Sequence, residues 1–415
     1  MNDIVGVGTA PGAFERITGL DVTRGFAVMG ILAMNIIAFA MPENAYITPR
    51  AWGGDTGADL WIWAFNYVLV DSKMRGLFSI MFGASTLLVI ERAVASGQSP
   101  ARAHYGRMIV LALFGLVHFF LIWFGDILFL YAAMGMILYA FRNLSIKALK
   151  RWIAGLFVLT MIFSSQFVLL AVADLPGMPT ELATATAGVR ADMASNSEAS
   201  QEQVAVHTSG LAAIVGDKLE HDLASPFIGV LLYGPETLML MLIGMIMFKS
   251  GMLRGQWPLA RLDTWRNRCL GIGIIANLAL LWWQFQTGLD PVILLLATFY
   301  VSIPFDVVMS IGYAALFMGL AQRFAHNGLI QRVAATGQAA FTNYLGTSIA
   351  MTFIFYGWGL GLFGSVNRAA CYLFVLGAWA VMLLWSKPWL ARYRYGPLEW
   401  LWRSLARGEI QDLRR

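Results

Sequence analysis

Ten long apolar stretches divide this chain of 415 residues, and they limit its fold more than any other feature of the sequence. A transmembrane helix needs about 20 mainly apolar residues to cross the hydrocarbon core of a bilayer. With 58% hydrophobic and only 13% charged residues, the chain is too apolar for a soluble domain. The sequence therefore predicts an all-α, polytopic transmembrane helix bundle that forms a single domain over 1–415. The predicted spans are 25–42, 74–92, 107–124, 126–141, 150–173, 227–249, 267–287, 292–320, 338–358 and 368–386.

The Lys and Arg residues between these stretches predict the orientation of the bundle. Cytoplasmic loops of membrane proteins are enriched in Lys and Arg, whereas loops on the other side are not. Here basic connections alternate with connections that carry almost no positive charge. We therefore expect both termini in the cytoplasm, with 387–415 as a basic cytoplasmic tail. The basic connections are 91–107, 141–151, 249–268, 321–335 and that tail.

Two segments are expected on the outer side of the membrane. Segment 174–226 carries eight acidic residues, and its Ala, Ser, Glu and Gln content favours helix over strand. It is either a small cap of amphipathic helix or partly disordered. Segment 58–71 is rich in Trp and only fourteen residues long. That length is too short for a span and suits a helix that lies at the membrane interface.

The net charge of +5 does not indicate nucleic-acid binding, because the basic residues lie at predicted cytoplasmic helix ends. The predicted topology also bears on the two cysteines, Cys269 and Cys371, which lie near opposite faces of the membrane. The sequence therefore predicts neither a disulfide nor a metal site.

Polar residues inside the spans are costly and mark functional positions by default. At about 1.5 Å per residue, Asn35, His118 and Glu236 each lie about 10–14 Å below the outer face. A second layer lies nearer the cytoplasm. It holds Asp21, Arg24, Asp306 and Asn343. Two polar layers on several helices are what a pocket or a pathway through the membrane requires.

Each of these residues also has a purely structural interpretation. Asn35 and Asn343 can hydrogen-bond a neighbouring helix, as amides do in membrane bundles. His118, the one histidine within a predicted span, can be a satisfied core residue. Glu236 follows a proline and can serve a kink, and Asp126 lies in a short turn where Asp is a favoured cap.

A cluster of charges lies at the outer start of the second span, in "DSKMRGLFSIMFG". Lys73 and Arg75 depart from the usual absence of positive charge on that side. One interpretation is a site for an anion or a sugar, with Asp71, Lys73 and Arg75 as substrate-binding groups. The other is a helix start that Asp71 caps, with basic side chains that reach lipid headgroups.

Several motifs of the chain resemble the successive signatures of the bacterial YeiB-like family of membrane proteins. They are "RITGLDVTRGFAVMGILAMNI", "DSKMRGLFSIMFGAS", "GLVHFFLIWFGDILFLYAAMG", "GQAAFTNYLGTSIA" and "GPLEWLWRSL". That family is similar to the transmembrane acyltransferases that include heparan-α-glucosaminide N-acetyltransferase. The resemblance implies a protein of the bacterial inner membrane that transfers an acyl group, with acetyl expected, from cytoplasmic acyl-CoA to an acceptor across the membrane.

The chain departs from that resemblance at one position. The lysosomal relatives place a catalytic histidine in the outer loop after the first family helix, shortly before a Trp and an "AD" pair. This chain has Trp52, Ala58 and Asp59 there, but no histidine. Either the chemistry has moved to His118, or the acyltransferase inference fails for this branch.

The resemblance suggests roles for the polar residues. Acyl transfer needs a base for the acceptor and donors for the oxyanion that forms at the thioester carbon. We assign His118 as the base, Asn35 as an oxyanion donor and Glu236 as an orienting or acceptor-binding group. A covalent acyl-imidazole on His118 stays open. Groups assigned to the coenzyme are Asp21, Arg24, Arg268, Arg323, Arg332 and Asn343, and Asp126 joins the substrate-binding set.

A transporter or flippase of a small polar or lipid-linked solute is the alternative. Asp306 and Glu236 would then be proton-coupling carboxylates. The sequence shows no inverted repeat and no paired broken helices that would support transport. It names neither the acceptor, the acyl length nor the oligomeric state, although a homodimer would be ordinary for such a bundle.

Overall fold

The computed structural model describes residues 17–415, so residues 1–16 of the predicted domain lie outside the described range. Within that range the chain forms helices and no β-sheet, which confirms the all-α bundle. A helix is the expected form of a long apolar stretch in a bilayer, because it pairs its backbone N–H and C=O groups within the segment. Eight helical segments of the described chain are long and apolar enough to cross a membrane.

The helices follow one another with short connections. The first half of the chain forms α1 (Thr18–Ala40), α2 (Asn44–Ile47), α3 (Gly57–Phe65), α4 (Lys73–Ala95), α5 (Pro100–Leu121), α6 (Leu128–Leu138), α7 (Ile146–Ser164) and α8 (Gln166–Val172). The second half forms α12 (Ser225–Lys249), α13 (Leu259–Gln286), α14 (Pro291–Leu296), α15 (Ile303–Arg323), α16 (Gly328–Gln338), α17 (Ala340–Phe355), α18 (Arg368–Arg392) and α19 (Pro397–Arg407).

Segment 174–226 lies between these halves and is helical, in line with its composition. It forms α9 (Thr180–Asp192), α10 (Glu198–His207) and α11 (Leu211–His221). Lys218 of α11 donates a hydrogen bond to the carbonyl oxygen of Phe119 (3.3 Å), and the N–H of Gly357 donates to the carbonyl oxygen of His207 (2.8 Å). The segment is therefore a cap that is bonded to the ends of α5 and α17.

Two of the ten predicted spans form shorter helices than the other eight. The stretch 126–141 forms α6 and a 3-10 turn at Tyr139–Phe141, and the stretch 338–358 is broken at Ala339 between α16 and α17. The other eight stretches correspond to the eight long segments. The sequence count of about ten therefore comprises these eight long segments and two shorter helices of the bundle.

Two helices are interrupted in the same way. α3 runs into a π-helical turn at Asn66–Val70 before α4 begins, and α14 runs into a π-helical turn at Ala297–Val301 before α15 begins. The predicted helix over 58–71 forms as α3 with its π turn, and the predicted single span 292–320 is divided at Ser302. The structure thus contains the paired broken helices that the sequence did not reveal.

Glycine allows the central helix α1 to pack closely against α16. A Cβ atom at Gly337 would lie 1.9 Å from the carbonyl oxygen of Asp21, and one at Gly25 would lie 2.1 Å from the carbonyl oxygen of Val333. No side chain fits at either distance, so both positions require glycine, as close helix pairs in membranes commonly do. This contact fixes the start of α1, where Asp21 and Arg24 lie.

Candidate functional site

A large cavity opens between the helices at the end of the bundle where the arginines gather, which we call the basic end. Its volume is about 930 Å³, and α1, α4, α5, α6, α16, α17 and α19 form its walls. This volume lies at the upper end of the range of about 300–1,000 Å³ that is typical of ligand pockets. The cavity is therefore large enough for a cofactor-sized molecule.

The charges around this cavity are mainly positive. Two carboxylates, Asp21 and Glu399, lie among the arginines. Arg24 donates hydrogen bonds to Asp21 (3.2 Å) and to the hydroxyl of Ser85 (2.8 Å). Burial, together with the charges of Arg407 and Arg92, lowers the pKa of Arg403. Guanidinium groups bind phosphates through paired hydrogen bonds, so this end suits a phosphorylated ligand. The charged lining residues are Asp21, Arg24, Arg92, Arg107, Arg394, Glu399 and Arg403.

Helix α19 closes one side of the cavity. Glu399 accepts hydrogen bonds from the N–H groups of Phe341 (2.7 Å) and Thr342 (3.1 Å), so it caps the start of α17. Burial raises the pKa of Glu399, and these hydrogen bonds oppose the rise. The indole N–H of Trp402 donates to the carbonyl oxygen of Arg107 (2.9 Å), whose guanidinium lies 4.5 Å from the Trp402 ring. The predicted cytoplasmic tail is thus part of the cavity wall.

A histidine and an aspartate form a buried dyad just beyond the inner end of the cavity. His118 Nδ1 lies 2.9 Å from Asp126 Oδ1, and both side chains are almost completely buried. The second oxygen of Asp126 accepts the N–H of Phe129 (2.8 Å) and so caps α6. Gly115 permits this arrangement, because a Cβ there would lie 2.3 Å from the nitrogen of Phe129. A carboxylate at Nδ1 leaves Nε2 as the basic nitrogen.

Three polar atoms around the dyad keep unused hydrogen-bonding capacity in the described chain. They are His118 Nε2, Trp123 Nε1 and the hydroxyl of Tyr344. The ring of His118 contacts the rings of Trp123 and Tyr344, with centroid distances of 6.2 Å and 5.4 Å. Tyr344 also lines the cavity, whereas His118 lies behind it. Buried polar groups normally find a partner, so these three are available to a ligand or a water molecule that reaches the dyad.

Asn35 lies on the same side of α1 as this dyad. It is one helical turn before Phe39, which stacks on Trp123 with a centroid distance of 4.0 Å. Asn35 is buried, and no hydrogen bond joins it to His118 among the contacts of the described residues. The structure thus brings Asn35 towards the dyad without placing it in contact.

Arg75 and Glu236 form a second pair, partly buried, next to the cavity wall. The guanidinium of Arg75 lies 2.9 Å from each carboxylate oxygen of Glu236. Tyr131, which lines the cavity, donates to the carbonyl oxygen of Arg75 (3.2 Å) and shares a hydrogen bond with Ser79 (2.6 Å). Glu236, expected beside His118, is therefore engaged by Arg75.

Lys73 and Asp306 form a third buried pair, although the sequence placed them in different layers. Lys73 Nζ lies 2.9 Å from Asp306 Oδ1 and donates to the carbonyl oxygen of Tyr67 (2.5 Å). Asn277 donates to Asp306 (3.3 Å), and the hydroxyl of Ser302 donates to its second oxygen (2.8 Å). Asp306 thus lies in the first turn of α15, far from the basic end. The sequence placed it near the cytoplasm because depth was counted along one unbroken helix, without the break at Ser302.

A small polar chamber lies between the two π-helical turns. Its volume is about 20 Å³, which is room for a water molecule. Three atoms that face it have no partner in the described chain, namely Asn66 Oδ1, the hydroxyl of Tyr67 and Arg368 Nε. Asp71 also lines the chamber and accepts the hydroxyl of Tyr46 and the N–H of Ser72. The predicted substrate group Asp71 is therefore apart from the large cavity.

Four residues assigned to the coenzyme lie outside the cavity. Arg268 is exposed on α13, and Arg323 pairs with Asp263 (2.9 Å). Arg332 donates to the carbonyl oxygen of Leu383 (3.0 Å). Asn343 joins α17 to α18, because it accepts the indole N–H of Trp385 (2.9 Å) and donates to the hydroxyl of Ser386 (3.3 Å). The position of an arginine in a basic connection did not show whether its side chain lines the large cavity.

Sequence reasoning missed most of the cavity wall. Four arginines of the wall had been used only to predict topology, namely Arg92, Arg107, Arg394 and Arg403. Tyr344 lies in the motif "GQAAFTNYLGTSIA", but no role was predicted for it. The quoted tail motif "GPLEWLWRSL" was the available signal, since a charged and aromatic pattern within it packs against α5. Within residues 17–415, no three His, Cys, Asp or Glu side chains come together as a metal site.

Comparison with known proteins finds full-length relatives. A family model described as "Protein of unknown function (DUF418)" matches residues 247–409. The "Uncharacterized protein YeiB" of Escherichia coli (strain K12) is 32% identical over 406 residues, which cover 94% of this chain and 96% of that protein. The "Uncharacterized protein YxaH" of Bacillus subtilis (strain 168) is 31% identical over 413 residues, which cover 94% of each. None of these descriptions assigns an activity.

Proposed function

We propose that this chain, which belongs to the YeiB family of bacterial membrane proteins, is an acyltransferase of the inner membrane. It would take an acyl group from acyl-CoA at the basic end, which would face the cytoplasm. The acceptor would be a hydroxyl or amine that reaches the dyad from the membrane or from the outer side. We expect acetyl as the acyl group.

The observation that carries this proposal is a cavity with arginines at one end and a His–Asp dyad just beyond the other. Coenzyme A has an anionic nucleotide, a long and mainly uncharged arm, and a reactive thioester at the far tip. The arginines suit the phosphates, and the apolar middle of the cavity suits the arm. The thioester would then lie at the inner end, near Tyr344 and the dyad.

The residues of the dyad can supply the base that acyl transfer needs. Asp126 holds the Nδ1–H of His118, so Nε2 can take the proton of the acceptor. The acceptor oxygen or nitrogen forms a bond to the thioester carbon, and the carbon–sulfur bond then breaks. The proton passes from His118 to the leaving thiolate, which gives free CoA and the acylated acceptor.

Transport of a small solute is the second candidate, and the paired broken helices favour it. Discontinuous helices commonly line the substrate or ion sites of transporters. Here both π-helical turns face the small chamber, and the Lys73–Asp306 pair follows them directly. A transporter of unrelated solutes has no need for acyl-CoA, so a coenzyme-binding test separates the two candidates.

The test is the binding of acetyl-CoA to purified protein in detergent, with ATP as a ligand that has phosphates but no thioester arm. Acetyl-CoA at millimolar concentration should raise the midpoint of thermal unfolding by a few degrees, because a ligand of the folded state stabilises it. Arg24→Gln should weaken binding by about tenfold to a hundredfold, as the loss of a charged hydrogen bond does.

Arg268→Gln is the matched control, since it removes the same charge from an exposed position on α13 outside the cavity. It should bind acetyl-CoA like the unaltered protein. Equal weakening by both substitutions would mean that overall charge, not the cavity, attracts the ligand. No shift with acetyl-CoA would end the acyltransfer proposal and leave transport as the leading candidate.

A further inference from the structure

Tyr344 occupies the position between the cavity and the dyad. Among residues 17–415, it is the one tyrosine that both lines the cavity and contacts the ring of His118. Its side chain is 6% exposed, and its hydroxyl donates to no acceptor in the described chain. Tyr131, the other tyrosine of the inner cavity, differs in this respect, because its hydroxyl is already bonded to Ser79 and to the carbonyl of Arg75.

An unused hydroxyl proton at that position has a chemical use. A thioester that forms a tetrahedral intermediate places negative charge on its carbonyl oxygen, and a preorganised donor stabilises that charge. A buried donor acts more strongly than one in water, because the surroundings screen it little. Asn35, the donor expected from sequence, does not line the cavity.

We propose that Tyr344 is a catalytic residue whose hydroxyl donates a hydrogen bond to the thioester oxygen as the tetrahedral intermediate forms. This inference rests on the proposed acyl transfer. The acceptor, with its proton taken by His118, bonds to the carbonyl carbon, and the carbonyl electron pair moves to the oxygen that faces Tyr344. When the carbon–sulfur bond breaks, that pair re-forms the carbonyl, and Tyr344 keeps its own proton throughout.

The experiment compares Tyr344→Phe with Tyr356→Phe in the full-length protein, reconstituted in liposomes. Tyr356 is a matched control because its hydroxyl is also buried and without a partner in the described chain, yet it lies beside His207 and Phe363, outside the cavity. The probe is acetyl-CoA with glucosamine or water as acceptor, and the readout is free thiol released from CoA. The affinity for acetyl-CoA is measured in parallel.

Tyr344→Phe should lower the rate of thiol release by about a hundredfold to a thousandfold, as the loss of one oxyanion donor does. Its affinity for acetyl-CoA should stay within about twofold, because the donor acts mainly when charge develops. Tyr356→Phe should retain the full rate. A merely structural Tyr344 would instead change the affinity and the unfolding midpoint along with the rate.

Two results would overturn the inference, and they differ from each other. If the unaltered protein releases thiol and Tyr344→Phe does so at the same rate, the role of Tyr344 is wrong while acyl transfer stands. If the unaltered protein binds no acetyl-CoA and releases no thiol, the proposed function fails and the role of Tyr344 fails with it.

Discussion

The His118–Asp126 dyad and the Lys73–Asp306 pair are both deeply buried, but they differ in what their polar atoms do. Around Lys73 and Asp306, the ammonium and both carboxylate oxygens have hydrogen-bond partners. Around the dyad, His118 Nε2 has none among the described residues, and two neighbouring side chains also keep unused donors. The two pairs are therefore equally buried, but only the dyad has a free ring nitrogen of its own among the described residues, and this difference is what the proposed reaction requires.

The largest effect is expected where the dyad is altered. Asp126→Asn should reduce acyl transfer from acetyl-CoA by about ten-thousandfold, because an amide can hold His118 in the tautomer that lacks a basic Nε2. His118→Ala should abolish transfer. Thiol release measures the rate, and yield with detergent gel filtration shows whether each variant still folds. A His118→Ala variant that transfers acyl groups normally would remove the assignment of the base.

The next effect concerns stability and tests the other half of the comparison. Lys73→Met leaves Asp306 buried without its counter-ion, which should cost about 3–5 kcal/mol of unfolding free energy. The double variant Lys73→Met with Asp306→Leu should recover most of that loss, because no unpaired charge remains. Thermal unfolding in detergent measures both.

The double variant also sharpens the contrast with the dyad. Neither residue lines the large cavity, so its affinity for acetyl-CoA should match that of the unaltered protein. If the double variant is no more stable than the single one, the pair contributes more than charge compensation. If acetyl-CoA binding is lost in a folded double variant, the two regions are coupled and the contrast between them fails.

The smallest effect is expected from substitution of His207. It tests whether a buried histidine with an unused ring nitrogen, but without a carboxylate partner, contributes to acyl transfer. Its Nδ1 donates to the carbonyl oxygen of Gln203 (2.8 Å), and its Nε2 has no partner in the described chain. Burial lowers the pKa of His207 from 6.5 to about 4. The unfolded state therefore binds the proton first, and stability is lost as the pH falls from about 6.5 towards 4.

His207→Gln should remove part of that loss, at most about 1.4 kcal/mol for each pH unit. Unfolding midpoints at pH 7.5 and pH 5 should thus differ less in the variant than in the unaltered protein. Thiol release should be unchanged at pH 7.5, because His207 has a backbone carbonyl where His118 has a carboxylate. Loss of transfer in His207→Gln would place the cap within the reactive site.

The sequence was sufficient to predict the class of fold and to single out His118, one member of the dyad. Long apolar stretches require helices in a bilayer, and a histidine within one of them is costly enough to be noticed. Asp126 was assigned to a turn and to substrate, and its contact with His118 was not foreseen. Two oxygens let it cap α6 and hold the histidine at once, which a local reading of the turn cannot show.

The remaining site residues were not predictable because they depend on where distant helices meet. Depth along a span placed Asp306 near the cytoplasm, but that count assumed an unbroken helix over 292–320. Lys73 was expected to reach outward to a ligand or to lipid headgroups. In the structure it points into the bundle and pairs with Asp306, which comes from the other half of the chain. The arginines of the cavity could not be separated from Arg268 or Arg323, since all of them obey the same charge rule for loops.

The position of α19 determines when the large cavity is completed during synthesis. Arg394 and Arg403 complete the cavity, and Glu399 caps a helix that begins almost sixty residues earlier in the chain. During synthesis, every long span is already made while this wall is still missing. A product that stops after α18 would therefore lack this wall, and the cavity would be complete only once α19 has left the ribosome and folded back.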